Sequence, residues 1–138
     1  VTASAQSKGA SLLVVDDNED NLDMLSRRLR RRGYEVEAAR SGIEALDAID
    51  ARRFDVILLD VMMPGVNGLE VLQKVRQRFS KTQLPVLMAT ARGDSEDVVE
   101  ALQLGANDYV VKPLDLAELV AALEVALGHS TGAERSIP

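Results

Sequence analysis

Five residues of this 138-residue chain have types that could work together chemically: Asp16, Asp17, Asp60, Thr90 and Lys112. Each stands at the end of a short, mostly aliphatic run: S-L-L-V-V before Asp16-Asp17, V-I-L-L before Asp60, L-P-V-L-M-A before Thr90, and D-Y-V-V before Lys112. Runs of this length, closed by turn formers such as Pro64, Gly65, Asn67 and Gly68, predict strands. If those strands are parallel, their carboxyl ends form one rim, where the loops diverge and open α/β sheets hold their ligands. Three carboxylates crowded on that rim repel one another unless neutralised, and hard oxygen ligands suit Mg²⁺. A carboxylate beside Mg²⁺, an ammonium and a hydroxyl has the charge neutralisation and donors needed to accept a phosphoryl group. Taken singly, the residues have ordinary uses: helix caps for Asp16 and Asp17, a turn for Asp60, a strand end for Thr90, surface charge for Lys112. Their joint placement points instead to an acyl-phosphate site centred on Asp60.

The elements that must hold these residues alternate along the chain. Strands are expected at Ser11–Val15, at Tyr34–Ala39, over the Phe54 run up to Asp60, at Leu84–Thr90 and at Asp108–Val111. Tyr34–Ala39 alternates in polarity, which places it near an edge. Between the strands lie five helical patterns. The first turns Leu22, Leu25 and Leu29 inward, with acids early and Arg27, Arg28, Arg30, Arg31 and Arg32 at its end, matching the helix dipole. The second opens on a capping box, Ser41-Gly42-Ile43-Glu44, with Ile43, Leu46 and Ile49 inward. The third starts at Asn67 with Glu70 and runs through Leu69, Leu72, Val75 and Phe79. The fourth spans Asp94–Leu104 with Val98, Ala101 and Leu102 on one face and Gly105 as its stop. The last is capped by Asp115 with Glu118 and reaches Gly128. Five strands alternating with five helices predict an α/β fold, a doubly wound parallel sheet with helices on both faces.

Composition narrows the function. With 16 Lys and Arg against 22 Asp and Glu, the formal charge is -6, which disfavours direct binding to nucleic acid or an anionic membrane. The five arginines therefore read as a solvated helix face or as a patch for an acidic partner. No cysteine is present and one histidine, so neither a thiolate metal site nor a histidine cluster is available. Glycines form neither a dinucleotide fingerprint nor a P-loop. Val1–Ala10 lacks an apolar signal core, and Leu116–Leu127 is short and carries Glu118 and Glu124, so export and membrane insertion are not expected. Residues 1–10 read as a flexible tail, 11–128 as one domain, and 129–138, His129 included, as a tail or linker.

From Ser11 to Gly128 the motifs V-V-D-D, L-L-D-V-M-M-P-G-V-N-G, A-T-A and Y-V-V-K-P resemble those of the response-regulator receiver domains of two-component signalling. The resemblance implies a flavodoxin-like three-layer sandwich with strand order 2-1-3-4-5. It makes Asp60 the phosphoacceptor, Asp16 and Asp17 the Mg²⁺ acids and Met62 a backbone-carbonyl ligand. Thr90 becomes a switch hydroxyl, Lys112 the cation that pairs with phosphate, Tyr109 a rotating switch aromatic, and Lys112-Pro113 a cis peptide. It also implies a cytoplasmic protein whose partners are a histidine kinase or histidine phosphotransfer protein, docking on the first helix, and an unidentified output domain or protein. A homodimer through the last helix-strand-helix face would fit the same family. On this reading the chain is a signalling module whose chemistry is confined to its own phosphorylation and dephosphorylation.

A competing class is the haloacid-dehalogenase-like phosphatase, which also uses an aspartyl nucleophile and Mg²⁺. That mechanism wants a second acid two residues after the nucleophile, and the position holds Met62. Little sequence is left for a substrate-selecting cap.

Overall fold

The computed structural model describes residues 9–128. The expected tail and linker, with His129, lie outside the described residues, apart from Gly9 and Ala10. Five strands, β1 (Ser11–Val15), β2 (Glu35–Ala39), β3 (Val56–Asp60), β4 (Val86–Ala91) and β5 (Asp108–Lys112), alternate with five helices, α1 (Glu19–Arg31), α2 (Gly42–Ala51), α3 (Gly68–Arg78), α4 (Ser95–Leu104) and α5 (Leu116–Ala126). All strand pairs are parallel, in the order β2-β1-β3-β4-β5.

Side chains alternate across a strand, so the aliphatic runs of the central strands feed two cores. Leu13, Val15, Ile57 and Leu59 point to one face, where they meet Ala45, Ile49, Val71, Leu72 and Val75 of α2 and α3 and Ala101 of α4. Leu12, Val14, Val56 and Leu58 point to the other, against Leu22 and Leu29 of α1 and Leu119 and Leu123 of α5. β1 and β3 are buried along their whole length, which forces their carboxyl ends into the middle of the rim. Each fully buried Leu, Ile or Val contributes roughly 1.5–3 kcal/mol of transfer free energy. β2 is an edge strand, as its alternation implied; Arg30 donates to the Val36 carbonyl at 2.9 Å and Arg52 pairs with Glu37 at 3.4 Å.

Several helix faces differ from the sequence reading. Ile43 is 59% exposed, because α2 approaches the sheet through its small residues: Gly42, Ala45 and Ala48 are buried with Ile49. The expected capping box at Ser41 is half made. Ser41 accepts from the Glu44 amide at 3.1 Å, but Glu44 accepts from the Arg40 amide at 2.9 Å instead of from Ser41. The box at Asn67 and Glu70 is complete. On α4 only Ala101 is buried, and Leu102 is 41% exposed.

A polar residue also enters the core: α1 buries Ser26 between the Leu22 and Leu29 turns, and its hydroxyl has no hydrogen-bond partner among the described residues. An unpaired buried hydroxyl is costly, and alanine is the better helix former. Ser26→Ala should therefore stabilise the protein by about 1 kcal/mol, measured by urea denaturation; a loss of stability would show that the hydroxyl has a partner.

Candidate functional site

Because every strand runs the same way, the rim collects the residues that end them. Asp16 follows β1 directly, and its amide donates to the Ala39 carbonyl at 3.1 Å, which ties the loop to the end of β2. Its Oδ1 accepts from the Asn18 amide at 2.9 Å, while Asn18 caps α1 by accepting from Asn21. Asp17, next in the chain, is exposed. Asp60 is the last residue of β3 and only 2% exposed.

Carboxylate oxygens of Asp16, Asp17 and Asp60 lie within 4.8 Å of one another. Lys112, at the end of β5, reaches across β4 and places Nζ 2.9 Å from Asp60 Oδ1 and 3.9 Å from Asp16 Oδ2. Asp60 Oδ1 also accepts from the Met62 amide at 3.2 Å. Its Oδ2 is buried and has no hydrogen-bond partner among the described residues. Desolvation is the largest influence on Asp60 and holds its pKa above the ordinary carboxylate value; Lys112 pulls it down and Asp16 pushes it up. One ammonium among three acids leaves the cluster short of positive charge. A hard divalent cation fits this donor set: three carboxylates, one carrying an orphaned oxygen. Asp16, Asp17 and Asp60 are the side chains that would hold it, and the Met62 carbonyl is on the adjoining loop.

That loop is fixed from behind. The Gly68 amide donates to the Val61 carbonyl at 3.0 Å, and α3 begins so close to β3 that a Cβ on Gly68 would collide with the Asp60 carbonyl oxygen and stand 2.8 Å from Val61 Cα. Gly68 entered the sequence reading only as a turn former, since nothing local reveals that it is a spacer.

Thr90 is buried in β4 beside the β3 end, with Asp60 paired to Ala89 and Thr90 to Val111. Its hydroxyl donates to the Val110 carbonyl at 3.5 Å, a long bond that is easily exchanged for another. Tyr109 lies on β5 opposite Met88 and is 39% exposed. Met62 is 62% exposed. The Lys112-Pro113 peptide is cis, as the resemblance implied. Beside the acids a groove of about 170 Å³ runs between α1 and the β5–α5 loop, lined by Asp16, Met24, Leu25, Arg28, Lys112 and Leu114. No local pattern in the chain marks this groove. Among the described residues no helix is long and apolar enough to cross a membrane.

Residues 12–124 match the family model for the response regulator receiver domain. The uncharacterized transcriptional regulatory protein YkoG of Bacillus subtilis (strain 168) is 43% identical over 116 residues, which are 84% of this chain and 50% of YkoG. The chain therefore spans about half the length of that curated relative. A crystal structure of a candidate response regulator from Chloroflexus aurantiacus J-10-fl is 41% identical, with a TM-score of 0.81, over 88% of this chain and 99% of the other. The receiver domain of NtrX from Brucella abortus is 32% identical, with a TM-score of 0.78, over 84% and 97%. Between the two classes weighed from the sequence, these matches favour the signalling module; the phosphatase reading gains no support.

Proposed function

As the chain belongs to the response regulator receiver domain family, a signalling family, we propose that Asp60 is its phosphoacceptor and that phosphorylation there switches an output. The observation that carries this reading is the half-satisfied Asp60 carboxylate, close to two further acids: Oδ1 is held by Lys112 and the Met62 amide, and Oδ2 is buried without a partner among the described residues.

In the proposed reaction an Asp60 carboxylate oxygen forms a bond to phosphorus while the bond from phosphorus to the donor breaks. The donor is a phosphohistidine of a kinase or phosphotransfer protein, or a small acyl phosphate, and its leaving atom keeps the electron pair. Mg²⁺, when bound, neutralises charge on the phosphoryl oxygens. Asp16 and Asp17 supply its side-chain ligands beside Asp60, and the Met62 carbonyl completes the protein's share. Lys112 exchanges its bond to Asp60 for one to a phosphoryl oxygen. Thr90 gives up the long bond to Val110 and donates to another. Tyr109 then takes up the space that Thr90 leaves.

Receiver domains of this family work with histidine kinases and output domains. For this chain we assign donor docking to α1 and the groove at Arg28 and Leu114, because that groove shares Asp16 and Lys112 with the site. Output contact, or pairing with a second copy, is assigned to the face bearing Val99, Leu102, Tyr109, Val111 and Val125, all 39% exposed or more. The name of the Bacillus relative favours control of transcription as the output, exerted by another part of the protein or a partner. The reading makes residues 11–128 the receiver and its setting the cytoplasm.

Incubation with acetyl phosphate should add one phosphoryl group per chain, seen by intact mass, in millimolar Mg²⁺ and not in EDTA. Labelling that ignores the metal would contradict the assigned acids.

A further inference from the structure

α4 is held in opposite ways at its two ends. It is the most lightly packed of the five helices, with Ala101 its one buried residue, where α2 and α3 bury four each and α1 and α5 three. At its rim end, Asp94 makes no side-chain capping bond, whereas Asn18, Ser41, Asn67 and Asp115 each accept an amide at the start of their helices. An uncapped first turn leaves its amides to solvent. This end follows Thr90 by four residues.

The far end is fastened by Arg76 of α3. Its Nε donates to the Gly105 carbonyl at 2.7 Å, its Nη2 to Asn107 Oδ1 at 2.9 Å and its Nη1 to the Leu84 carbonyl at 2.9 Å. Nη1 also reaches the carbonyls of Phe79 and Ser80, each at 3.3 Å. All five acceptors are carbonyl oxygens, and two of them, Phe79 and Gly105, are the C-caps of α3 and α4. A cation there meets the negative ends of two helix dipoles, which compensates a half-buried charge without a carboxylate. Asn107 extends the clamp by accepting from the Val86 amide at 2.9 Å and donating to the Lys81 carbonyl at 3.1 Å. The Gly105 turn, with φ of 108°, packs against the Arg76 stem. A planar fork with several donors can bind these segments at once; an ammonium cannot.

We propose that Arg76 is the pivot of the switch: when Asp60 is phosphorylated, α4 swings about its Arg76-held C-terminal end, and the displacement is greatest at its uncapped Asp94 end. The proposal rests on Asp60 being the phosphoacceptor. Arg76 is a positioning residue, acting on the site through α4 and the entry to β5. The clamp makes the motion a rotation with one fixed end, so that the Thr90 rearrangement is converted into tilt of the exposed Val99 and Leu102 face.

Two measurements decide it. In the unphosphorylated protein, amide hydrogen exchange at Ala106 and Asn107, which bond to Ala101 and Val86, should be slow in the wild type. It should rise at least tenfold in Arg76→Met with β1 and β3 unchanged, and Arg76→Lys should recover only part of the protection. Asn107→Ala, a milder cut in the same clamp, should show the same local pattern if Arg76→Met folds poorly. Unaltered exchange at Ala106 and Asn107 in these variants overturns the pivot. With beryllofluoride, a phosphoryl mimic, wild-type amide shifts should be large at Ser95–Val98 and small at Leu104–Asn107, and should spread to Leu104–Asn107 in Arg76→Met. Equal shifts at both ends of wild-type α4 also overturn it. If beryllofluoride leaves the amides around Asp60 unmoved, the phosphoacceptor reading fails instead, and the exchange arm still decides whether Arg76 clamps α4.

Discussion

Asp60→Asn should stabilise the metal-free protein by about 1–3 kcal/mol at neutral pH, the usual cost of a buried polar group left unpaired. Asp60 is almost fully buried, one of its oxygens has no donor, and two carboxylates stand beside it. An amide in its place keeps an oxygen for Lys112 and the Met62 amide, and replaces an ionised group in a cluster of acids with a neutral one. The pH dependence has a definite sign. Burial raises the folded-state pKa of Asp60 above its unfolded value, so the folded protein binds the proton more tightly and ionisation opposes folding. The cost is complete above the folded pKa and gone below the unfolded one. The gap between wild type and Asp60→Asn should therefore be widest at neutral pH and close as the pH falls through the folded pKa toward ordinary carboxylate values. Mg²⁺ should close most or all of this gap, since at about 100 times its dissociation constant a ligand adds roughly 2.7 kcal/mol to the state that binds it. Melting curves of both proteins with and without Mg²⁺ check this; a wild type indifferent to millimolar Mg²⁺ would contradict the metal assignment.

Gly68→Ala should cost about 3 kcal/mol, at the upper end of the usual range for overpacking. The added methyl meets backbone, the Asp60 carbonyl and Val61 Cα, and backbone cannot rotate away as a side chain would. Either α3 backs off or the end of β3 moves, and both shift Asp60 relative to Lys112. A lowered urea midpoint with slower labelling by acetyl phosphate is the expected pair of results. A variant as stable and as reactive as wild type would show that the packing at this point is looser than the geometry implies.

The sheet and rim were legible because their signals are local. V-I-L-L ending in Asp60 and S-L-L-V-V ending in Asp16 are buried on both faces, as central strands of a parallel sheet covered by helices must be. The strand order was implied by the resemblance and not by the runs themselves. Helix faces were less legible. In α2, Ile43 looked like a core residue because it is large and apolar, but a helix that packs closely uses its small side, and Gly42, Ala45 and Ala48 took that place. Leu102 has the spacing of a core residue on α4, but that helix buries Ala101 alone among its residues. The Arg76 clamp could not have been read at all. Its partners Gly105 and Asn107 are 29 and 31 residues away, and a lone arginine near a helix end looks like any dipole-matching charge.

Transfer of the phosphoryl group to Asp60 can be tested directly. Wild type and Asp60→Asn, each incubated with acetyl phosphate and Mg²⁺, should be compared by intact mass and by peptide mapping of the labelled chain. One phosphoryl group is expected on wild type, located at Asp60, and none on Asp60→Asn while that variant remains folded. A label that persists in Asp60→Asn, or that maps to another residue in wild type, would contradict it.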